Sequence, residues 1–128
     1  RDLNTEISDP DGIVSISSNQ FTLAAGTYFI EALASACQVN ATQTRLYNIT
    51  DDSVVQLGTA EYAGQGSNHP SQQNFLRSRF TISGTKAFEL QHYCTVSRDT
   101  YGFGAGTAGG FNAGTNTIFT LITIHKEA

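Results

Sequence analysis

The chain contains no methionine, so it cannot begin at its own initiator. The sequence is expected to be a fragment or processed product of a longer polypeptide, with residues 1–12 as a leader from an upstream domain and 13–128 as the head domain. Charge is scarce: at 14% it falls well under the roughly 25% of an average globular protein. Ser, Thr, Asn, Gln and the twelve glycines must therefore cover most of the surface. The seven basic residues are scattered from Arg1 to Lys126 against eleven carboxylates, for a net charge of -4. They form no stripe along which a polyanion could lie, so nucleic acid is not an expected partner. No apolar run approaches the ~20 residues of a membrane helix, and membrane insertion is not expected. Two cysteines, Cys37 and Cys94, are fewer than a disulfide-dependent secreted scaffold carries, which leaves the compartment open.

Helical periodicity is nearly absent as well. Period-two or doubly apolar runs bounded by turn residues recur instead, and predict strands near Ile13–Ser17, Gln20–Leu23, Thr27–Gln38, Thr42–Asn48, Val54–Thr59, Asn74–Ser83, Ala87–Val96 and Thr117–His125. The turns between them are marked by Asp9-Pro10-Asp11-Gly12, Ala25-Gly26, Asp51-Asp52-Ser53 and Ser83-Gly84. The fold class is therefore all-β, a two-sheet sandwich of about eight strands, and 128 residues suit one such domain.

Several strands are apolar on both faces. In Thr27–Gln38 one face carries Tyr28, Ile30, Ala32, Ala34 and Ala36, and the other Phe29, Leu33 and Cys37 around Glu31. A strand of this kind is normally covered twice. With too few residues for a third layer, the second cover is expected to be another copy of the chain. Glu31, set between Phe29 and Leu33, is expected to be partly buried and paired with Arg45, Arg79 or Arg77, because an unpaired buried carboxylate costs several kcal/mol.

Motifs of chemistry are also missing. His69, His92 and His125 show no metal-ligand spacing. His92 and Cys94 lie two apart on one strand, about 7 Å from each other and too far for a thiolate–imidazole pair. Asp51-Asp52 has oxygens suited to calcium but sits in a turn, where Asp caps backbone in any case. Nothing resembles a Walker loop, a nucleophile elbow or a zinc motif, and Gly102–Gly106 does not lead a strand into a helix. No catalytic residue, metal or cofactor is expected.

What remains are two long connections, Glu61–Gln73 and Ser97–Asn116. The second holds six glycines between Gly102 and Gly114, interleaved with aromatics and amides. Such loops suit stacking on sugars and hydrogen bonding to their hydroxyls. Tyr101, Phe103, Asn112, Arg98, Asp99 and His69 are the candidate ligand-binding residues, with a flexible or packing loop as the plain alternative.

The segment Phe21–Ile30, a strand, a glycine turn at Gly26 and an aromatic-rich strand, resembles the globular heads of complement-type and tumour-necrosis-factor-type jelly rolls. Thr44–Asn48, Arg79–Ile82 and Phe88–Cys94 look like stretches in the C-terminal head domains of bacteriophage tail fibres and tailspikes, and the likeness spans roughly residues 13–126. The resemblance implies a homotrimer with one sheet of each sandwich on the threefold axis. Its expected interface residues are Tyr28, Ile30, Phe88, Leu90, His92, Phe119 and Leu121, on a sheet joining Thr27–Gln38, Ala87–Val96 and Thr117–His125. The expected partners are two further copies, upstream tail-fibre domains and a bacterial surface polysaccharide or other receptor, and the expected location is the virion tail. A purely structural trimer clamp and a secreted complement-like head are the alternatives; the sequons at Asn40 and Asn48 would suit the second. If Thr27–Gln38 and Ala87–Val96 are antiparallel neighbours, Cys37 and Cys94 lie on the order of 20 Å apart and should stay unbonded.

Overall fold

A computed structural model describes residues 1–68, 70–104 and 118–127. They form eight strands and, among the described residues, no helix: β1 (Val14–Ser17), β2 (Gln20–Leu23), β3 (Gly26–Cys37), β4 (Asn40–Asn48), β5 (Ser53–Ala63), β6 (Ser71–Ile82), β7 (Lys86–Cys94) and β8 (Thr120–Glu127). Every pairing is antiparallel. One sheet runs β1-β2-β7-β4-β5 and the other β6-β3-β8. The chain changes sheet at β2–β3, β3–β4, β5–β6, β6–β7 and β7–β8, which is the wiring of a jelly-roll-like sandwich.

Local chemistry fixes the ends. Both carboxylate oxygens of Asp9 accept from the backbone, from Ile13 N at 3.0 Å and Val14 N at 2.8 Å, which turns the chain into β1. Ser18 and Asn19, both at positive φ, make the two-residue turn into β2. At β4–β5, Asp51 accepts from Asn48 Nδ2 and its own amide donates to Asn48 Oδ1, while Asp52 accepts from the Tyr47 hydroxyl. The adjacent carboxylates are thus turn partners, and Asp51 also pairs with Lys86. The Asn48 side chain is 5% exposed and held in this turn, so that sequon is closed in the folded chain.

The core lies between the sheets. Alternate residues of β3 from Tyr28 to Ala34 point into it and meet Phe21, Leu23, Leu46, Leu76, Ile82, Phe88 and Leu90, while Ala36 packs with Val39 and Ala63. Phe21 stacks on Phe88 at 5.5 Å between centroids and Phe80 lies 5.3 Å from Phe88, each ring contributing roughly 1.5–3 kcal/mol by burial. The sheets also meet along one side, where Asn74 Nδ2 on β6 donates to Thr59 O on β5 at 2.9 Å. Arg1 links them again: its backbone nitrogen donates to Leu90 O on β7 and its guanidinium to Ser35 O on β3. Residues 1–12 form no strand, yet Leu3 packs against the core.

Two sequence expectations change here. β7 does not neighbour β3; it lies in the five-stranded sheet between β2 and β4, while β3 takes β6 and β8. Consequently Tyr28, Ile30, Phe88 and Leu90, expected on a subunit axis, are fully buried within one chain. His92 also points inward and Phe119 is half-buried ahead of β8, so of that set only Leu121 lies on an outer face, 39% exposed. The period-two pattern marked two apolar faces on β3, and the one expected against a partner, carrying Tyr28 and Ile30, is the one buried within the chain. Cys37 and Cys94 form no disulfide, although the geometry from which that was expected does not hold: they end strands of different sheets.

Candidate functional site

Both long connections come together at the end of β3. Gln38, at φ 55, is the joint: its amide donates to Pro70 O at 3.2 Å, its Nε2 to Gly66 O at 2.7 Å, and its carbonyl accepts from Arg98 Nε at 3.3 Å. The first connection is shorter than expected, because β5 and β6 extend to leave only residues 64–70 between them. His69 and Asn112 lie outside the described residues.

The described part of the second connection folds back on the sandwich. Cys37 N donates to Gly102 O, Gly102 N to Arg98 O and Gly104 N to Tyr101 O. Phe103 is 44% exposed; the Arg1 guanidinium sits 4.3 Å from its ring centroid, and the His92 ring lies 6.0 Å away. Asp99 is exposed and Tyr101 half-buried. Arg98, Tyr101 and Phe103 are therefore brought to one end of the sandwich, with Arg98 and Phe103 engaged in holding the loop there.

Beneath that end lies a polar chain inside the sandwich. The His92 imidazole contacts the Thr42 hydroxyl, which donates to Asn74 Oδ1 at 3.0 Å, while Asn74 Nδ2 donates to Thr42 O and Thr59 O. Burial, and then the Arg1 charge, press the His92 imidazole down to about 4. Burial likewise lowers the Arg1 guanidinium to about 10. His92 is neutral at ordinary pH and Asn74 is completely buried, so the chain reads as structural stitching between β4, β5, β6 and β7. Among the described residues no three of His, Cys, Asp and Glu gather as a metal site.

A second polar array lies on the outer face of the five-stranded sheet. Gln20 Nε2 donates to Glu89 Oε1 and Gln91 Nε2 to Glu89 Oε2, both at 2.9 Å, and Arg45 Nε donates to Gln91 Oε1 at 2.8 Å. The Arg45 guanidinium stacks on Tyr47 at 4.7 Å from the ring centroid. These hydrogen bonds, from Gln91 first, hold the Glu89 carboxyl below its usual range. Arg45, Gln91, Gln43, Leu57 and Tyr93 line a shallow cleft of about 360 Å³. None of these residues was among the ligand-binding candidates of the sequence, which lay on the loops; Arg45 was named only as one of three arginines for Glu31, and it takes Gln91 and Tyr47 instead. The signal was present in the alternation Gln43, Arg45, Tyr47 and Glu89, Gln91, Tyr93, which puts amide, charge and aromatic on the solvent side.

The outer face of the three-stranded sheet differs. Phe29, Leu33, Phe75 and Leu121 share it with His125 and two ion pairs. Arg77 pairs with Glu31 across β6–β3, as the sequence led one to expect, with Nε donating to Oε1 at 2.9 Å. Arg79 grips Glu127 with two bonds, of 2.8 and 2.7 Å. Arg77 also lies over the rings of Phe29 and Phe75. No protein-family model matches the chain, and no curated protein matches it.

Proposed function

We propose that the domain is a non-catalytic assembly and attachment head: a homotrimer that packs the outer face of β6-β3-β8 around its axis and contacts a surface glycan, as in the bacteriophage tail-fibre and tailspike heads it resembles. The observation that carries this reading is the outer face of the three-stranded sheet. Leu33, Phe75 and Leu121 are brought side by side by the register Leu33↔Phe75 and Leu33↔Leu121, and Phe29 lies further along the same face, opposite Arg79 and His125. Apolar side chains gathered on one solvent-facing sheet are the usual mark of a subunit contact. The ion pairs Arg77–Glu31 and Arg79–Glu127 among them are already satisfied within the chain, so a partner covering them would meet no unpaired charge.

The anchored loop favours a second reading, a purely structural trimer clamp. Arg98 spends its Nε on Gln38 O and Phe103 lies under Arg1. Light scattering of the purified chain tests the part common to both readings: a trimer at micromolar concentration is expected, and Leu33→Asp, whose side chain points outward, should dissociate it without unfolding it. A monomeric wild type would sink both. Binding of the trimer to a glycan array then favours the attachment head over the clamp.

A further inference from the structure

We propose that the outer face of the five-stranded sheet, at the cleft between Arg45, Gln91 and Tyr93, binds a carboxylate-bearing glycan. The inference rests on the reading of the domain as a glycan-binding head but not on its being a trimer, since the two faces belong to opposite sheets. The first argument is charge. Arg77, Arg79 and Lys86 each face a carboxylate of this chain. Arg45 does not: its Nε is spent on Gln91 and its face on Tyr47, while Nη1 and Nη2 take no partner among the described residues. Those two nitrogens form a planar fork that matches the two oxygens of a carboxylate.

The second argument is order. The row Gln20–Glu89–Gln91–Arg45 is joined end to end by hydrogen bonds across β2, β7 and β4, so its groups hold their orientation before any ligand arrives. Binding to such a row loses little side-chain freedom. The row offers further donors and acceptors side by side: the second Nε2 hydrogen of Gln91, the remaining lone pairs of Glu89, and Oε1 of Gln43, whose Nε2 is fixed on Gly58 O at 2.9 Å. Adjacent donors and acceptors are what neighbouring sugar hydroxyls require. Tyr93, 66% exposed and opposite Gln43, supplies a ring face for the apolar side of a sugar, and Leu57, opposite Arg45, closes the far wall.

The same face excludes the competing anions. Glu89 shares the face with a single cleft arginine, and the chain is net negative at -4, so a dense polyphosphate is disfavoured relative to a sugar that brings one carboxylate to the cleft. The test uses the full chain and a short oligogalacturonate, with its methyl ester as the neutral counterpart, followed by calorimetry. The acid should bind at least about tenfold more tightly than the ester. Arg45→Gln should remove that difference and Tyr93→Ala should weaken both ligands, whereas Lys126→Gln on the opposite sheet should change nothing; melting curves check that all variants are folded. Binding of the acid undiminished in Arg45→Gln would overturn the site while leaving a glycan-binding head in place. No binding of oligogalacturonate, nor of any acidic glycan on an array, would overturn the inference; neutral glycans bound on that array would show that the attachment reading survives it.

Discussion

His92 projects from β7 into the sandwich, beside Thr42 and within reach of the Arg1 charge. In the unfolded chain its imidazole has the ordinary value of 6.5, and in the folded protein about 4. Between those values the unfolded chain binds a proton that the folded one refuses, so folding becomes less favourable as pH falls through that window. The stabilisation lost by pH 4 is on the order of 2 kcal/mol once the part-exposure of the ring is discounted. Urea midpoints measured from pH 7 down to pH 4.5 should drop for the wild type and stay flatter for His92→Gln; parallel slopes would refute it. The sequence placed His92 on the expected subunit axis, since its polar neighbours come from β4 and β6, far away in the chain. By contrast, the partner of Glu31 was legible, because a carboxylate between Phe29 and Leu33 demands a cation and few are present.

The strands themselves were readable because inward positions repeat at every second residue. β3 reads buried at alternate positions from Tyr28 to Ala36, and its span is anticipated almost to the residue. β5 and β6 run further than expected, to Ala63 and back to Ser71, because their outer halves expose both polar and small residues and give only a faint alternation. Pairing was not readable. A pattern of period two states which face a residue occupies and nothing about which strand lies alongside, hence the misplacement of β7. A related feature escapes the sequence at Gly58, where β5 carries an extra residue between its partners Ala60 and Leu57 opposite Gln43 and Arg45. A Cβ there would sit 2.5 Å from Thr44 Oγ1 and 3.0 Å from Phe75 O. Gly58→Ala should therefore cost about 1–3 kcal/mol. Gly84→Ala, with nothing within 4 Å of its Cβ, is the control, and equal denaturation midpoints for the two variants would contradict the close approach.

Among the described residues, strands close the sandwich on the side where β5 meets β6, and residues 1–3 add a further join between the sheets. Leu3 lies against the core and its amide donates to Asn19 Oδ1 at 3.1 Å, whereas Ile7, 70% exposed, touches little. Leu3→Ala should lower stability by about 1–2 kcal/mol, as expected for a half-buried leucine. Ile7→Ala should leave it unchanged. A melting temperature insensitive to Leu3→Ala would make the segment a mere tether, the role its polar sequence suggested.

The central place of β3 has a temporal side. Of its two neighbours, β6 is reached after residue 71 and β8 only after residue 120. During synthesis the edge of Thr27–Ala34 that β8 will cover therefore waits until the chain between β3 and β8 has been made, and long loop closures of this kind are slow. A waiting edge is a template for strands of other chains. Copies emerging from one messenger meet it at high local concentration, so the step that completes the small sheet is also the step at which neighbouring nascent chains can trade their last strands.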